Sequence, residues 1–249
     1  DGIMILKRLG ALAPVVILCA EATAQGGASA TSAWSGEGAI SASLTSGNTE
    51  TQDAGLSVKL KRKGLRWTHA GETSFDYGRT NGTERKNRVT ASGQIDRNFG
   101  PRWAGYGRFT YERNAFSGFE NRYFLGLGLA WKTIESEATA WTLEAGPGYK
   151  IDEIRQTSST PASREDNVSG RLGSKFKHAF NPSVSLSNDS EFVTNDATTQ
   201  TSNVLALTAK LTGNLNARVS FDVRHDTSPR PGFEATDATT KFSLVYKVP

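Results

Sequence analysis

Residues 122–133 read RYFLGLGLAWKT, an alternation of large apolar side chains with side chains that, apart from Phe124, are small or polar. The large apolar side chains occupy every second position: Tyr123, Leu125, Leu127, Leu129 and Trp131. A period of two residues is typical of a β-strand, whose successive side chains point to opposite faces. At about 3.3 Å per residue this stretch reaches about 40 Å, roughly twice the length of a typical globular strand. Tilted by about 45°, such a strand covers the hydrocarbon layer of a membrane.

The same alternation recurs along most of the chain. It is clear in residues 52–62 and less clean in residues 201–212, where Val204 and Ala206 fall on the polar phase. The pattern predicts an all-β fold, specifically a transmembrane antiparallel up-and-down β-barrel of about twelve strands. The predicted strands are 34–45, 52–62, 65–77, 86–97, 102–113, 122–133, 139–151, 166–178, 183–194, 201–212, 216–226 and 237–248.

The connections between these strands are alternately longer and short. The longer ones are 46–51, 78–85, 114–121, 152–165, 195–200 and 227–236. The tight ones include 63–64, 99–101 and 213–214. Outer-membrane barrels carry long loops on the extracellular side and short turns on the periplasmic side. We therefore expect a bacterial outer-membrane protein with both termini on the periplasmic side.

Aromatic residues collect at strand ends, on the apolar phase. One predicted girdle lies at the periplasmic rim and contains Trp34, Trp67, Trp103, Trp131, Trp141 and Tyr246. The other lies at the extracellular rim and contains Tyr77, Tyr111, Tyr123 and Tyr149. Two girdles are typical of membrane barrels, because amphipathic rings lie at the headgroup level. A soluble lipocalin-like barrel or β-sandwich, the alternative all-β fold, has no reason to sort aromatic residues by strand end.

The N-terminal segment has the features of a secretory signal peptide. A basic pair at residues 7–8 precedes an apolar run that is too short to span a bilayer. The small residues at 22–24 then fit a cleavage site. We expect three segments, namely a signal peptide (1–24), a flexible periplasmic tail (25–33) and a single barrel domain (34–249).

Charge and cysteine content exclude several functions. The formal net charge of +4 is spread along the strands, whereas nucleic-acid binding needs a clustered basic face. The only cysteine, Cys19, lies in the segment that we expect to be removed. The mature chain would then have no disulfide, thiolate metal site or cysteine nucleophile.

The chain resembles a known bacterial family. The motifs that carry the resemblance are Trp34-x-Gly36, Ser46-Gly47-Asn48-Thr49, Arg122 with Gly126-x-Gly128, Gly146-x-Gly148-Tyr149, Asp226-Thr227-Ser228-Pro229-x-Pro231-Gly232, Thr236-Asp237 and Leu244-Val245-Tyr246. In their order and spacing they are similar to the salt-induced outer-membrane proteins, also called domain of unknown function 481. The resemblance implies an outer-membrane barrel of uncharacterised activity, with a salt or osmotic response suggested by the name. It supplies no catalytic residues.

The polar phase of the strands is the most informative functional surface. Its charges have both signs, and the lumen-lining candidates are Glu72, Arg88, Asp96, Arg108, Arg122, Glu144, Arg171, Arg218 and Asp222. In a lumen such residues pair across strands or line an aqueous path. Twelve strands are intermediate between side-chain-filled barrels of eight and porins of sixteen. A narrow channel and a mostly filled structural envelope protein are both compatible with this size.

A barrel enzyme acting on lipid or lipopolysaccharide is the competing function. His225 with Asp226 and Ser228 is the best candidate set for nucleophilic catalysis. These residues are neighbours in sequence, however, whereas a catalytic triad is recognised by its geometry. A histidine at a membrane interface is more often a structural amphipathic residue. We therefore predict that the protein is not an enzyme and uses no cofactor or metal.

The expected partners follow from the membrane location. They are outer-membrane lipid and lipopolysaccharide, the barrel-assembly machinery, and small polar solutes or ions, with no nucleic acid. For assembly, we expect either Tyr246 to act as the terminal aromatic residue or the native chain to continue. A scaffold for a periplasmic or surface partner is a third possible function.

Several acidic residues are expected in the extracellular loops; they are Glu120, Asp152, Glu153, Glu165 and Asp166. We interpret them as solvated charges rather than cation ligands, because the regular EF-hand spacing is missing.

Overall fold

The computed structural model describes residues 33–45, 51–156 and 161–248. These residues form twelve β-strands. The strands are β1 (Ala33–Thr45), β2 (Thr51–Lys63), β3 (Trp67–Thr80), β4 (Thr83–Asn98), β5 (Trp103–Asn114), β6 (Phe119–Glu135), β7 (Thr139–Ile154), β8 (Ser163–Asn181), β9 (Val184–Thr194), β10 (Thr199–Thr212), β11 (Leu215–Asp226) and β12 (Thr236–Val248).

The strands close into a barrel. Each strand pairs antiparallel with its sequence neighbours, and β12 returns to pair with β1. At this seam the register runs from Gly36↔Val248 to Ser41↔Ser243. These six residue pairs close the sheet, so the two terminal strands are not left as open edges along this stretch. The predicted fold class, a transmembrane antiparallel up-and-down barrel of about twelve strands, is confirmed.

The two faces of the barrel wall have opposite polarity. Large apolar side chains on the outer face are exposed, among them Ile40, Leu56, Ile95, Leu125, Leu127 and Phe242. Many buried side chains on the inner face are polar, among them Asp76, Gln94, Glu144, Lys150 and Arg171. Soluble monomers rarely expose such large apolar patches. This inside-out distribution is the one that a barrel surrounded by lipid requires.

The irregular phase of β10 has a structural explanation. Val204 and Ala206 do lie on the inner phase, as their positions predicted, and Ala206 is buried. On the outer face, Asn203 donates to Ser190 Oγ at 2.7 Å and Asn188 donates to Asn203 at 3.2 Å. These three polar side chains therefore satisfy one another on the apolar face, where lipid offers no hydrogen-bonding partner.

Two rims are distinguished by their connections. We call one the long-loop rim; among the described residues it carries the connections 81–82, 115–118, 195–198 and 227–235. We call the other the short-turn rim; it carries 64–66, 99–102, 136–138, 182–183 and 213–214.

Several predicted strand boundaries were wrong at the long-loop rim. Strands β6 and β8 extend beyond their predicted bounds at this rim and also at the short-turn rim, to 17 and 19 residues, because backbone pairing continues beyond the apolar stretches. The predicted loop 78–85 is instead a two-residue hairpin of Asn81 and Gly82, with φ of 48° and 76°. Two successive positive φ angles are typical of a type I′ turn, whose twist matches that of the flanking strands.

The predicted N-terminal segments cannot be placed on this barrel. The predicted signal peptide (1–24) and the predicted tail up to residue 32 lie outside the described residues. The first strand begins at Ala33, one residue before the predicted start of the barrel. No helix among the described residues is both long and apolar enough to cross a membrane.

Strands β6 and β7 approach each other closely at two glycines. A Cβ atom on Gly146 would collide with the backbone of Leu127 and Gly128, and a Cβ on Gly128 would collide with the backbone of Ala145. Pro147, next to Gly146, has no backbone N–H to donate to the ladder. The close approach of the two strands therefore requires a residue without a Cβ atom at both positions. By contrast, a Cβ on Gly107 of β5 would meet no atom within 4 Å.

We expect Gly146→Ala to destabilise the barrel. The added methyl group forces backbone to move, which costs about 1–3 kcal/mol of the free energy of unfolding. The urea midpoint of unfolding in detergent micelles, followed by the mobility of unboiled protein on a gel, measures the change. Gly107→Ala is the matched control and should leave the midpoint unchanged or slightly raised. Equal loss of stability in both variants would contradict the close approach of β6 and β7.

Candidate functional site in the barrel interior

All nine lumen-lining candidates lie on the inner phase of their strands. Along each strand they alternate with residues of the outer face. For example, Glu72 lies opposite Ser92 on the inner face, and Phe75 lies opposite Val89 on the outer face. The structure distributes them over seven strands and joins most of them in ion pairs; they are Glu72, Arg88, Asp96, Arg108, Arg122, Glu144, Arg171, Arg218 and Asp222.

Glu144 of β7 is the centre of the largest cluster. Its carboxylate accepts hydrogen bonds from Arg171 at 2.8 Å, from Lys175 at 2.6 Å and from Gln94 at 2.9 Å. Gln94 Nε2 also donates to Asp96 at 2.8 Å. Three donors on one buried carboxylate stabilise its ionised form and fix all three side chains.

The cluster extends across the lumen. The guanidinium of Arg171 also contacts Glu191 of β9, at 2.7 Å from Nη2. Glu191 in turn lies 3.3 Å from Arg108 of β5. Lys175 of β8 donates to Gln94 of β4 at 3.0 Å. Because β4 and β8 are four strands apart in the barrel, these contacts bridge the interior rather than line the wall.

A second bridge lies nearer the long-loop rim. Glu112 of β5 accepts a hydrogen bond from Arg88 at 2.7 Å and lies 3.5 Å from Arg224 of β11. Strands β5 and β11 are on opposite sides of a twelve-stranded barrel. Arg224 also lies 3.4 Å from Asp222. This bridge therefore spans the full width of the lumen.

The remaining candidates pair along the wall. Arg122 contacts Asp152 at 2.7 Å towards the long-loop rim, and the same carboxylate pairs with Lys150. Towards the short-turn rim, Arg218 of β11 binds Glu37 of β1 with both guanidinium nitrogens at 2.8 Å. Bidentate arginine–carboxylate pairs are strong and geometrically specific. They tie non-neighbouring strands together across the closing seam.

The interior is filled unequally. On the side of β4 to β8 it is packed, with side-chain exposures of 1% for Arg171 and 2% for Glu144. On the side of β2, β3 and β9 it is accessible to water, with 40% for Lys59 and 43% for Glu72, which pair at 3.0 Å. Asp189 of β9 is also exposed there, and it is near enough to interact electrostatically with Lys59 and Glu72. The ion-pair clusters therefore pack the side of β4 to β8, whereas Lys59, Glu72 and Asp189 keep contact with water on the other side. Further along β3, Asp76 is buried and pairs with Lys241 of β12 at 2.6 Å.

Several interior residues were not singled out from the sequence. Gln94 and Glu191 are central to the cross-lumen cluster, and Tyr106 packs its ring under Arg171, whose Cζ lies 5.2 Å from the ring centre. The sequence pattern shows that these side chains point inward, but it does not show which inward side chains contact one another. A group of inward lysines at the short-turn rim was also missed, although the same period of two identifies their face.

The competing enzymatic site is not assembled. His225 Nδ1 is bonded to Thr236 Oγ1 at 2.8 Å, and Ser228 Oγ donates to the carbonyl of Ala197 at 2.9 Å. Asp226 accepts from Thr198 and Gln200 instead of from the histidine. The three residues thus form no hydrogen-bond relay of the kind that a triad requires.

The acidic residues considered as cation ligands mostly have protein partners. Asp166 pairs with Arg164, Glu165 pairs with Arg230, and Glu153 accepts from Asn121. The prediction that these residues lie in loops was wrong, because strand pairing extends further towards the long-loop rim. Glu120 lies in β6, Asp152 and Glu153 lie in β7, and Glu165 and Asp166 lie in β8. Asp152 is also buried. Within the described ranges, no group of three or more His, Cys, Asp or Glu could hold a metal ion.

The aromatic candidates lie on the outer face at both rims. At the short-turn rim, Trp103 stacks on Trp131 with ring centres 6.0 Å apart. Towards the long-loop rim, Tyr111 packs on Tyr123 with ring centres 5.3 Å apart. Arg97 lies over the ring of Trp67. The other predicted girdle residues lie on the same outer phase; they are Trp34, Trp141, Tyr246, Tyr77 and Tyr149.

Comparison with known proteins supports the resemblance drawn from the motifs. The family model described as "Protein of unknown function, DUF481" matches residues 38–248. No curated protein matches the chain at a significant level.

Solved structures share the barrel fold. An outer-membrane channel from Pseudomonas putida F1 is similar with a TM-score of 0.51 and 12% identity, over 88% of this chain and 96% of that chain. The translocator domain of the autotransporter NalP from Neisseria meningitidis is similar with a TM-score of 0.50 and 11% identity, over 87% of each chain. At these identities the likeness shows the fold alone.

The packed side of the interior should depend on Glu144. In Glu144→Gln, Lys175 loses its ion pair and Arg171 loses one of its two carboxylates inside the barrel, so we expect the free energy of unfolding to fall by about 3 kcal/mol. The urea midpoint in detergent micelles measures the loss. The matched control is Glu72→Gln on the accessible side, where an exposed pair contributes less than about 1 kcal/mol. Equal destabilisation by both substitutions would contradict the unequal filling.

Proposed function

We propose that this chain, which belongs to the DUF481 family, is a narrow channel of the bacterial outer membrane. Small polar solutes or ions would cross it along one side of the lumen. The channel is not a central pore, because the two ion-pair bridges occupy the middle and the side of β4 to β8.

The unequal filling of the interior carries this proposal. A structural barrel without transport could fill its lumen completely, since buried charges there pair readily across strands. Here Lys59, Glu72 and Asp189 keep much of their surface accessible to water. Hydrated charged side chains along a path are the lining that sets the selectivity of a pore.

The path is narrow for a physical reason. Bridges from β5 to β9 and from β5 to β11 take up much of the cross-section of the barrel. What is left lies between these bridges and the wall of β2 and β3. Such a path suits small hydrated solutes and excludes large ones.

The outer surface supports placement in the outer membrane. Its apolar band faces lipid, and the two aromatic girdles lie at the headgroup levels. We place the long-loop rim outside the cell and both termini in the periplasm, following the usual asymmetry of such barrels. Lipid and lipopolysaccharide would then be the surrounding partners, and the barrel-assembly machinery would act during biogenesis.

A link to salt or osmotic response stays a prediction. It comes from the name of the family that the motifs resemble, not from any residue of the barrel. A charged, narrow path is compatible with it, because conductance through such a path varies with ionic strength.

Single-channel recording in a planar bilayer tests the channel, first with the wild-type protein and then with a variant that carries one introduced cysteine. We expect stepwise openings from the purified mature protein. In Asp189→Cys, a bulky water-soluble thiol reagent should react and cut the single-channel conductance by about half or more, because the adduct occupies the path.

Ser169→Cys is the matched control for the thiol experiment. Ser169 lies on the inner phase of β8 but is buried at 4% exposure, so its thiol should stay unmodified and the conductance unchanged. A wild-type protein that never opens would instead indicate a structural envelope protein. Lipid hydrolysis abolished by His225→Ala would establish the enzymatic alternative.

A further inference from the structure

Six lysines lie at the same end of the barrel interior. Each lies on the inner phase close to the short-turn rim, and together they come from five of the six even-numbered strands. We call them the lysine ring; they are Lys61, Lys63, Lys132, Lys177, Lys210 and Lys247. Four of them are exposed, namely Lys61, Lys63, Lys177 and Lys210.

The ring is small enough for its charges to act together. Lys61 of β2 interacts electrostatically with Lys177 of β8, although these strands are on opposite sides of the barrel. Lys177 interacts in the same way with Lys247 of β12. The ammonium groups therefore repel one another across the mouth of the lumen.

Most ammonium groups of the lysine ring have no carboxylate of the described residues as an ion-pair partner. Among the described residues, the salt bridge of Lys132 with Glu135 at 3.5 Å is the one ion pair that the ring makes. Asp96 lies near enough to attract Lys61, but it also accepts from Gln94, and Glu37 is held by Arg218. Like charges at a concave mouth with low-dielectric walls focus their field into it.

Two rows of basic residues lead inward from the ring. On β2 the row runs through Lys63, Lys61 and Lys59, at every second residue. On β8 it runs through Lys177, Lys175 and Arg171, with Gly173 at the inward position between the last two. The row on β2 ends at the wetted side of the lumen, where Lys59 pairs with Glu72. An anion attracted by the ring could thus reach the accessible side along β2, whereas the row on β8 ends at Arg171, which is buried and paired with Glu144.

The opposite end of the lumen is paired more completely. Near the long-loop rim Arg122 and Lys150 pair with Asp152, and Arg88 and Arg224 pair with Glu112. Among the described residues, most interior cations at this end therefore have a carboxylate partner, whereas most lysines of the ring do not.

We propose that the lysine ring is an anion-binding vestibule, which collects small multiply charged oxyanions, carboxylates or phosphates, from the solution at the short-turn rim. The proposal names the solute class of the channel proposed above and rests on that function. Ammonium groups on flexible stems suit oxyanions because each offers three donors and can follow ligands of different shape. Singly charged anions would be favoured over cations for the same electrostatic reason.

Reversal potentials in a potassium chloride gradient test the selectivity of the ring. We expect the wild-type protein to prefer chloride. In Lys61→Gln with Lys177→Gln, the chloride-to-potassium permeability ratio should fall by at least about twofold, because two of the focusing charges are gone. The effect should shrink in about 1 M salt, where the Debye length falls to about 3 Å.

Two further double variants test whether the selectivity depends on where the positive charge lies or only on the total charge of the protein. Arg79→Gln with Arg85→Gln removes the same charge from exposed positions near the long-loop rim and should leave the ratio unchanged. Lys61→Arg with Lys177→Arg keeps the charge and should retain the preference, which also controls for folding. Equal effects of the first two double variants, or a wild-type channel without anion preference, would overturn the vestibule while leaving the channel intact.

A binding measurement decides the proposal even if the channel never opens. Isothermal titration of the wild-type protein in detergent with citrate at low ionic strength should show binding. Lys61→Gln with Lys177→Gln should weaken it by at least about threefold, since charge attraction dominates such binding. Absence of openings would refute the channel. Absence of citrate binding by the wild-type protein, or undiminished binding by the variant, would refute the vestibule.

Discussion

The hydrogen-bonding needs of the backbone in lipid determine the rest of this structure. Hydrocarbon offers no partner for N–H and C=O groups, so a sheet that crosses a membrane must close on itself. Pairing of β12 with β1 achieves this closure. Once the sheet is closed, the lipid-facing side of every strand must be apolar, and charged side chains away from the two rims are confined to a narrow interior.

That confinement explains the ion-pair clusters. A charge inside the barrel is costly unless it is paired or hydrated. On the side of β4 to β8 the charges are paired, and Glu144 holds Arg171 and Lys175 together. On the side of β2, β3 and β9 they are hydrated as well as paired, as for Lys59 and Glu72. The two solutions produce one packed side and one wetted side, and the channel proposed above uses the second.

The same reasoning accounts for the difference between the two mouths. Unpaired lysines are tolerated at the short-turn rim because water reaches them there. Deeper in the barrel an unpaired cation would lose that hydration, and Arg171, with a side-chain exposure of 1%, accordingly pairs with Glu144 at 2.8 Å. The balance between hydration and pairing thus changes along a single strand, from Lys177 to Arg171.

Period two by itself determined the number of strands, their approximate positions and the face on which each candidate lies, because successive side chains of a strand must point to opposite faces. It misjudged the loop at 78–85, although Asn81-Gly82 is a strong hairpin signal. Only the tertiary structure decided which inward charges meet. The pairs Arg108–Glu191 and Arg224–Glu112 join strands that are four and six positions apart in the barrel. Such contacts depend on closure, stagger and the depth of each residue, and a local pattern contains none of these. For the same reason, the packed and wetted sides of the lumen could be identified only once the barrel was closed.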